Sequence, residues 1–184
     1  TITDRLVALS RALIGRIRGG LAQVNVLVSM FFAGMNGSVV ADTATVGALV
    51  LPAMKKAGYP AAFSAAVTGV SSTIGGIIPP SIMMIVLANS TEISIAALFA
   101  AGIIPGVLIG IVIMAINHFF AIKYNFERSD QPFSIRRAGK ELYRSSFALL
   151  IPLVLVGSVM GGVASVVEAG AITAMVALLT GVFV

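Results

Sequence analysis

An all-α, multi-pass membrane protein is what this sequence predicts, and three observations predict it. Of 184 residues, 58% are hydrophobic and 10% charged, with a mean hydropathy of +1.05, more apolar than a domain with a solvated surface sustains. Residues 61–91 and 93–122 carry no charge, and each run exceeds the roughly 20 residues that cross a bilayer. All 12 Lys and Arg residues fall in three clusters that flank apolar runs: Arg5, Arg11, Arg16 and Arg18; Lys55 and Lys56; and Lys123, Arg128, Arg136, Arg137, Lys140 and Arg144. The pI of 10.1 therefore reports membrane topology, with no nucleic-acid partner implied.

The positive-inside rule places all three clusters on the cytoplasmic face and fixes the elements between them. Residues 1–20 interleave Leu6, Leu9, Leu13 and Ile17 with arginines, as in an amphipathic helix along the inner interface. Residues 21–56 are too long for one span and short for two, with both ends cytoplasmic. A re-entrant helical hairpin fits, turning at Met35-Asn36-Gly37-Ser38, where Gly and Asn supply turn chemistry absent from both arms.

Residues 60–90 read as an outward span broken at Thr73-Ile-Gly-Gly-Ile-Ile-Pro-Pro-Ser81, since paired Gly and paired Pro oppose a continuous helix. Asn89–Ser94 is the expected outer turn, and residues 94–123 the return span. Residues 124–144 form a basic cytoplasmic loop and arm. Residues 145–184 give an outward helix, a Gly161-Gly162 turn and the start of a return helix. Thr1 is not an initiator Met and Val184 falls inside an apolar run, so the chain is expected to continue beyond both. No signal peptide, exact repeat or low-complexity tract is visible.

Asp42 is the sharpest candidate for chemistry, because an acid inside a neutral membrane segment is costly. With Ser38 and Thr45 it shares one helix face. Carboxylate, hydroxyl and unwound carbonyl oxygens suit a small hard cation such as Na⁺, and broken helices supply them. The plainer alternative has Ser38 capping the second arm with Asp42 in its first turn. Thr68, Ser71, Ser72 and Thr73 form a polar band before the Gly-Gly break that could face the hairpin tip or serve interhelical hydrogen bonding.

Other polar residues read as structural. Ser165-Val-Val-Glu168 has capping-box spacing. Gly102, Gly106 and Gly110 recur every four residues, as in close helix packing. His118, the one histidine, reads as interfacial. Cysteine is absent, so disulfides and thiolate metal sites are excluded. No G-x-S-x-G elbow or Walker A loop is present, so a non-enzyme without its own ATPase site is expected.

The runs Gly37-Ser38-x-x-Ala41-Asp42-x-x-x-x-Gly47, Leu51-Pro52-Ala53-Met54-Lys55-Lys56-Ala57-Gly58-Tyr59, Ser72-Thr73-Ile74-Gly75 and Ile77-Ile78-Pro79-Pro80-Ser81-Ile82, with Leu98–Gly106 and Gly161–Ala169, resemble the large permease subunit of TRAP (tripartite ATP-independent periplasmic) transporters. The resemblance covers nearly the whole chain in order and spacing. It implies an elevator-type, Na⁺-coupled importer in the bacterial inner membrane, with no cofactor besides the coupling ion. Its substrate would be a small organic acid, of dicarboxylate or sialic-acid type, delivered by a periplasmic binding protein. A small membrane subunit would accompany it, and this chain would hold the first of two inverted repeats.

By that resemblance the ion or substrate lining comprises Asn36, Gly37, Ser38, Asp42, Thr45, Thr68, Ser72, Thr73, Gly75 and Pro79, with Na⁺ among Gly37, Ser38, Asp42, Thr73 and Gly75. Three positions depart from the family pattern: Asn36 stands where Ser is usual, Gly76 where Pro is usual, and Ser165-Val166-Val167 where Thr-Pro-Thr is usual. The first alters an ion contact unless that contact is a backbone carbonyl. Rival readings are a membrane subunit of another transporter or channel class, and a noncatalytic fragment whose glycines and hydroxyls serve only packing.

Overall fold

Apolar side chains at helical spacing, punctuated by Gly and Pro, build helices and breaks where they occur. The computed structural model describes residues 2–14, 17–126 and 134–183. Arg16, Arg128 and the rest of residues 127–133 lie outside the described residues. Eight α-helices are described: α1 (Ile2–Ile14), α2 (Gly20–Asn36), α3 (Val39–Lys56), α4 (Ala61–Ser72), α5 (Ile82–Thr91), α6 (Ile95–Lys123), α7 (Ile135–Met160) and α8 (Val166–Phe183). A 3-10 turn, Thr73–Gly76, extends α4 into the gap before α5.

α2 is the central helix. It buries Val24, Val26, Val28, Phe32 and Ala33 and packs on α1, α3, α4, α6, α7 and the 3-10 turn, as an all-round apolar helix must. It breaks at Gly37, whose φ of 59° is left-handed, a conformation that costs other residues about 1–2 kcal/mol. Ser38 then caps α3, its hydroxyl accepting from the Ala41 amide at 3.4 Å.

α2 and α3 pack against each other and return to the same end of the molecule. Gly19, before α2, abuts Ala121, and the ring of Tyr59, after α3, packs on Phe126 with centroids 4.5 Å apart and planes tilted by 36°. The basic clusters meet there too. Arg18 donates to the Asn125 side chain at 3.2 Å, and Arg5 donates to the Arg144 carbonyl at 3.0 Å.

α6 is the one described helix that by itself is long and apolar enough to cross a membrane; the two halves of α7, bent by 63° between Ser146 and Ala148, meet that test together. The bend falls where the basic arm gives way to the apolar run, so the arm and the helix expected after it are one helix. A face of small residues on α6 receives the broken elements. A side chain at Gly102 would strike the Ile77 carbonyl and Met84, one at Gly106 would strike Ile78, and one at Gly110 would strike Met30. The spacing of four thus serves close packing, as expected.

Two details differ from expectation, and the expected capping box is found. α1 buries Leu6 and Leu9 against α2 and α7, but Leu13 and Ile17 are 41% and 39% exposed, because Ala12 and Ile14 complete the inward face instead. The turn after α5 is confined to Glu92–Ser94. α5 runs through Asn89–Thr91 because the Ser90 and Thr91 hydroxyls donate to their own helix's carbonyls, at Val86 (2.9 Å) and Leu87 (2.7 Å). The capping box is present: the Ser165 amide and hydroxyl donate to Glu168 Oε2 at 2.8 and 2.7 Å, and the Glu168 amide donates back to Ser165 Oγ at 3.3 Å.

Candidate functional site

The break between α2 and α3 and the break between α4 and α5 form one junction. The Gly37 carbonyl accepts the Ile82 amide at 3.2 Å, and a Cβ at Gly37 would collide with the Pro80 carbonyl oxygen. Gly75 faces the Ser38–Val39 backbone, where a Cβ would lie 3.7 Å from the Ser38 carbonyl oxygen. Asn36 Oδ1 accepts the Ser38 amide at 3.1 Å, fixing the turn. Ser81 donates to the Gly76 carbonyl at 2.8 Å and caps α5 by accepting the Met84 amide at 3.3 Å. Irregular backbone at such a junction is tolerated only where protein or a polar cavity satisfies it.

Asp42 lies one turn into α3 and is fully buried. The Ser72 and Ser29 hydroxyls neighbour its carboxylate, yet neither Asp42 oxygen, nor Ser72 Oγ, completes a hydrogen bond. No ion pair to Asp42 occurs among the described residues. Buried carboxylates are nearly always paired, hydrogen-bonded or on a cation. Helix capping accounts for Ser38 but leaves these three oxygens unexplained.

The remaining expected residues divide between this junction and other faces. Ser72, Gly75 and Pro79 are buried at the junction, and Pro79 also approaches Gly34 of α2. Thr45 is half-buried on α3. Thr68 faces α2: its hydroxyl accepts from Asn25 Nδ2 at 2.7 Å and donates to the Ser64 carbonyl at 2.9 Å. Thr73 is exposed, its hydroxyl donating to the Val70 carbonyl at 2.7 Å. Groups of three or more His, Asp or Glu able to hold a metal are absent among the described residues.

Two residues of α2 join the site that the sequence reading passed over, Asn25 and Ser29, both fully buried. Ser29 Oγ lies 3.2 Å from Ser71 Oγ, and Ser71 reaches Asn25 Oδ1 at 3.5 Å. The signal was available: two polar residues one turn apart in an uncharged apolar helix share a face.

The family model for the tripartite ATP-independent periplasmic transporter DctM component matches residues 1–184. The chain is 38% identical over its whole length to a sialic acid TRAP transporter permease of Haemophilus influenzae, covering 30% of that protein. It is 34% identical to a C4-dicarboxylate TRAP transporter large permease of Pseudomonas aeruginosa, with 100% of this chain and 43% of the relative aligned. An isethionate TRAP transporter permease of Oleidesulfovibrio alaskensis is 33% identical, again over 100% of this chain and 29% of the relative. The chain thus spans less than half the length of these relatives.

Proposed function

The chain belongs to the DctM-component family of tripartite ATP-independent periplasmic transporters, and from that premise we propose that it forms the Na⁺-binding half-site of a permease importing a small organic acid across the bacterial inner membrane. The observation that carries this reading is the fully buried Asp42, whose carboxylate lacks a partner beside two converging helix breaks. In secondary transporters, broken helices at membrane depth bind substrate and coupling ion. Na⁺ is cargo here, moving down its gradient with the acid.

Geometry supports re-entry of the α2–α3 pair. Both its ends sit near Ala121–Phe126 and its tip region lies against Gly106 through Ile78. At about 1.5 Å per residue, Ala121 to Gly106 spans about 22 Å of an α6 about 43 Å long, so the tip stops within the membrane. Both breaks then move with the hairpin as one body in an elevator-type mechanism. The relatives' names, sialic acid, C4-dicarboxylate and isethionate, all denote acids, which favours a small organic anion as substrate. Its partners would be a periplasmic binding protein that delivers the acid and a small membrane subunit.

Uptake by the full-length permease with its binding protein and small subunit, reconstituted in vesicles under a Na⁺ gradient, tests this. Asp42→Ala and Ser38→Ala are expected to lose Na⁺-driven uptake while inserting normally. Wild-type uptake in both would return these residues to capping and packing.

A further inference from the structure

We propose that the ends of α3 and α6 form a binding site for the headgroup of an anionic phospholipid of the inner leaflet, made by Arg18, Lys55, Lys56 and Lys123 around a cluster of aromatic rings. The site rests on the cytoplasmic placement of the basic clusters and is independent of the cation reading of Asp42. Three stretches of chain far apart in sequence meet there. Tyr59, just past α3, packs on Phe126 with ring centroids 4.5 Å apart, and Phe63 of α4 lies 5.1 Å from Phe126 and 6.1 Å from Phe120. Tyr124 stacks on Phe120 at 6.0 Å, with the Lys123 ammonium 5.8 Å from the Tyr124 ring centroid. Arg18 joins the same end through its 3.2 Å hydrogen bond to Asn125. Aromatic rings beside cations belong at the level of the headgroups.

Topology accounts for the side these charges take, but not for their grouping without a counter-charge. Lys55, Lys56 and Lys123 are exposed and Arg18 is half-buried, and none has a carboxylate partner among the described residues. Asp42 lies about 20 Å before Lys55 along α3, and Glu92 lies past the far end of α6, about 40 Å from Lys123, at about 1.5 Å per residue. Nor are the lysines needed as helix caps. At the end of α3 the carbonyls of Ala53, Met54 and Lys55 accept the amides of Ala57, Tyr59 and Gly58. At the end of α6 those of Phe120, Ala121 and Ile122 accept Tyr124, Phe126 and Asn125, so both ends are closed by backbone. The charges are left for an anion from outside. An apolar track beside them fits a lipid rather than a soluble anion: Ile116 and Phe119 share a helix face with Lys123 and are 49% and 65% exposed. Acyl chains can lie along that face with the phosphate at Lys123, as in basic pockets between helices that take anionic headgroups on the cytoplasmic side.

The test follows the melting temperature of the purified full-length permease complex in mixed micelles of detergent and phosphatidylcholine, titrated with phosphatidylglycerol. Phosphatidylglycerol is expected to raise the wild-type melting temperature by several degrees over an equal addition of phosphatidylcholine. The triple variant Lys55→Gln, Lys56→Gln, Lys123→Gln should need on the order of tenfold more phosphatidylglycerol for the same shift, because each interfacial cation adds to the attraction. Arginine at the same three positions keeps the charge and should restore the wild-type response. A charge-matched control, Arg11→Gln, Arg136→Gln, Lys140→Gln, changes exposed positions on α1 and α7 and should respond as wild type. An unchanged response in the first triple variant, as when the rest of the longer permease covers this end, overturns the site; an equal loss in the control reduces it to net charge and overturns it too. Glycerol phosphate that reproduces the wild-type shift would overturn the lipid assignment in favour of a soluble anion. A cysteine at Lys56 that reacts only from the outer face would remove the topology on which the site rests. Stability is read here rather than uptake, so a failure of Na⁺ coupling at Asp42 leaves each outcome as it stands.

Discussion

The Gly37 carbonyl oxygen accepts the Ile82 amide at 3.2 Å, so the break in one helical pair satisfies the backbone opened by the break in the other. Neither break is self-sufficient. Gly37 is also where a Cβ would strike the Pro80 carbonyl oxygen. Replacing Gly37 by Ala should cost about 1–2 kcal/mol for the left-handed backbone alone, with the collision added. The measurement is the melting temperature of the purified complex together with uptake. A fall of several degrees with loss of uptake is expected; a wild-type melting temperature would show that the two breaks do not depend on each other.

Asp42→Asn keeps the shape of the side chain and removes its charge. If the carboxylate balances a cation, uptake should drop by tenfold or more and its dependence on Na⁺ should flatten. The melting temperature without Na⁺ should stay level or rise, because a buried unpaired charge has been removed. Lower stability in Na⁺-free buffer would point instead to a purely structural carboxylate.

The face of α6 lined by Gly102, Gly106 and Gly110 predicts a graded packing series. Gly106→Leu puts a large side chain where Ile78 sits and should destabilise by about 1–3 kcal/mol or prevent assembly. Gly139→Ala on α7, where a Cβ meets nothing within 4 Å, should be neutral or gain about 0.5–1 kcal/mol. Equal melting temperatures for the two variants would remove the close approach of α6 to the broken helix.

Because cysteine is absent from these residues, side-specific labelling can map topology. Single cysteines at Lys56 and Tyr124, which flank the Tyr59–Phe126 ring contact, should react from the cytoplasmic face. A cysteine at Glu92, in the exposed turn between α5 and α6, should react from the opposite face. Labelling of all three from one side would overturn the outward and return spans between Lys56 and Tyr124.

Ser165→Ala removes a hydroxyl that both donates to Glu168 and accepts its amide. Loss of such a cap costs about 1 kcal/mol, and uptake should remain close to wild type because the box lies apart from the Asp42 junction. A loss of Na⁺ coupling in this variant would give Glu168 the role denied it here.

The sequence by itself determined the segments and their punctuation. Charge clusters, apolar run lengths, the Gly37-Ser38 turn, the Thr73–Ser81 break and the Ser165–Glu168 capping box are local matters of solvation, backbone sterics and reach, and each was legible from neighbouring residues. Spacing also placed Ser38, Asp42 and Thr45 on one face of α3. Tertiary structure decided which element that face meets. Thr68 and Ser71 of the polar band turn to Asn25 and Ser29 of α2, Ser72 turns to Asp42, and Thr73 turns outward onto the Val70 carbonyl. A helical period fixes which residues share a face, but the partner of that face is set by long-range packing, here the fit of Met30 and Ile78 against Gly110 and Gly106.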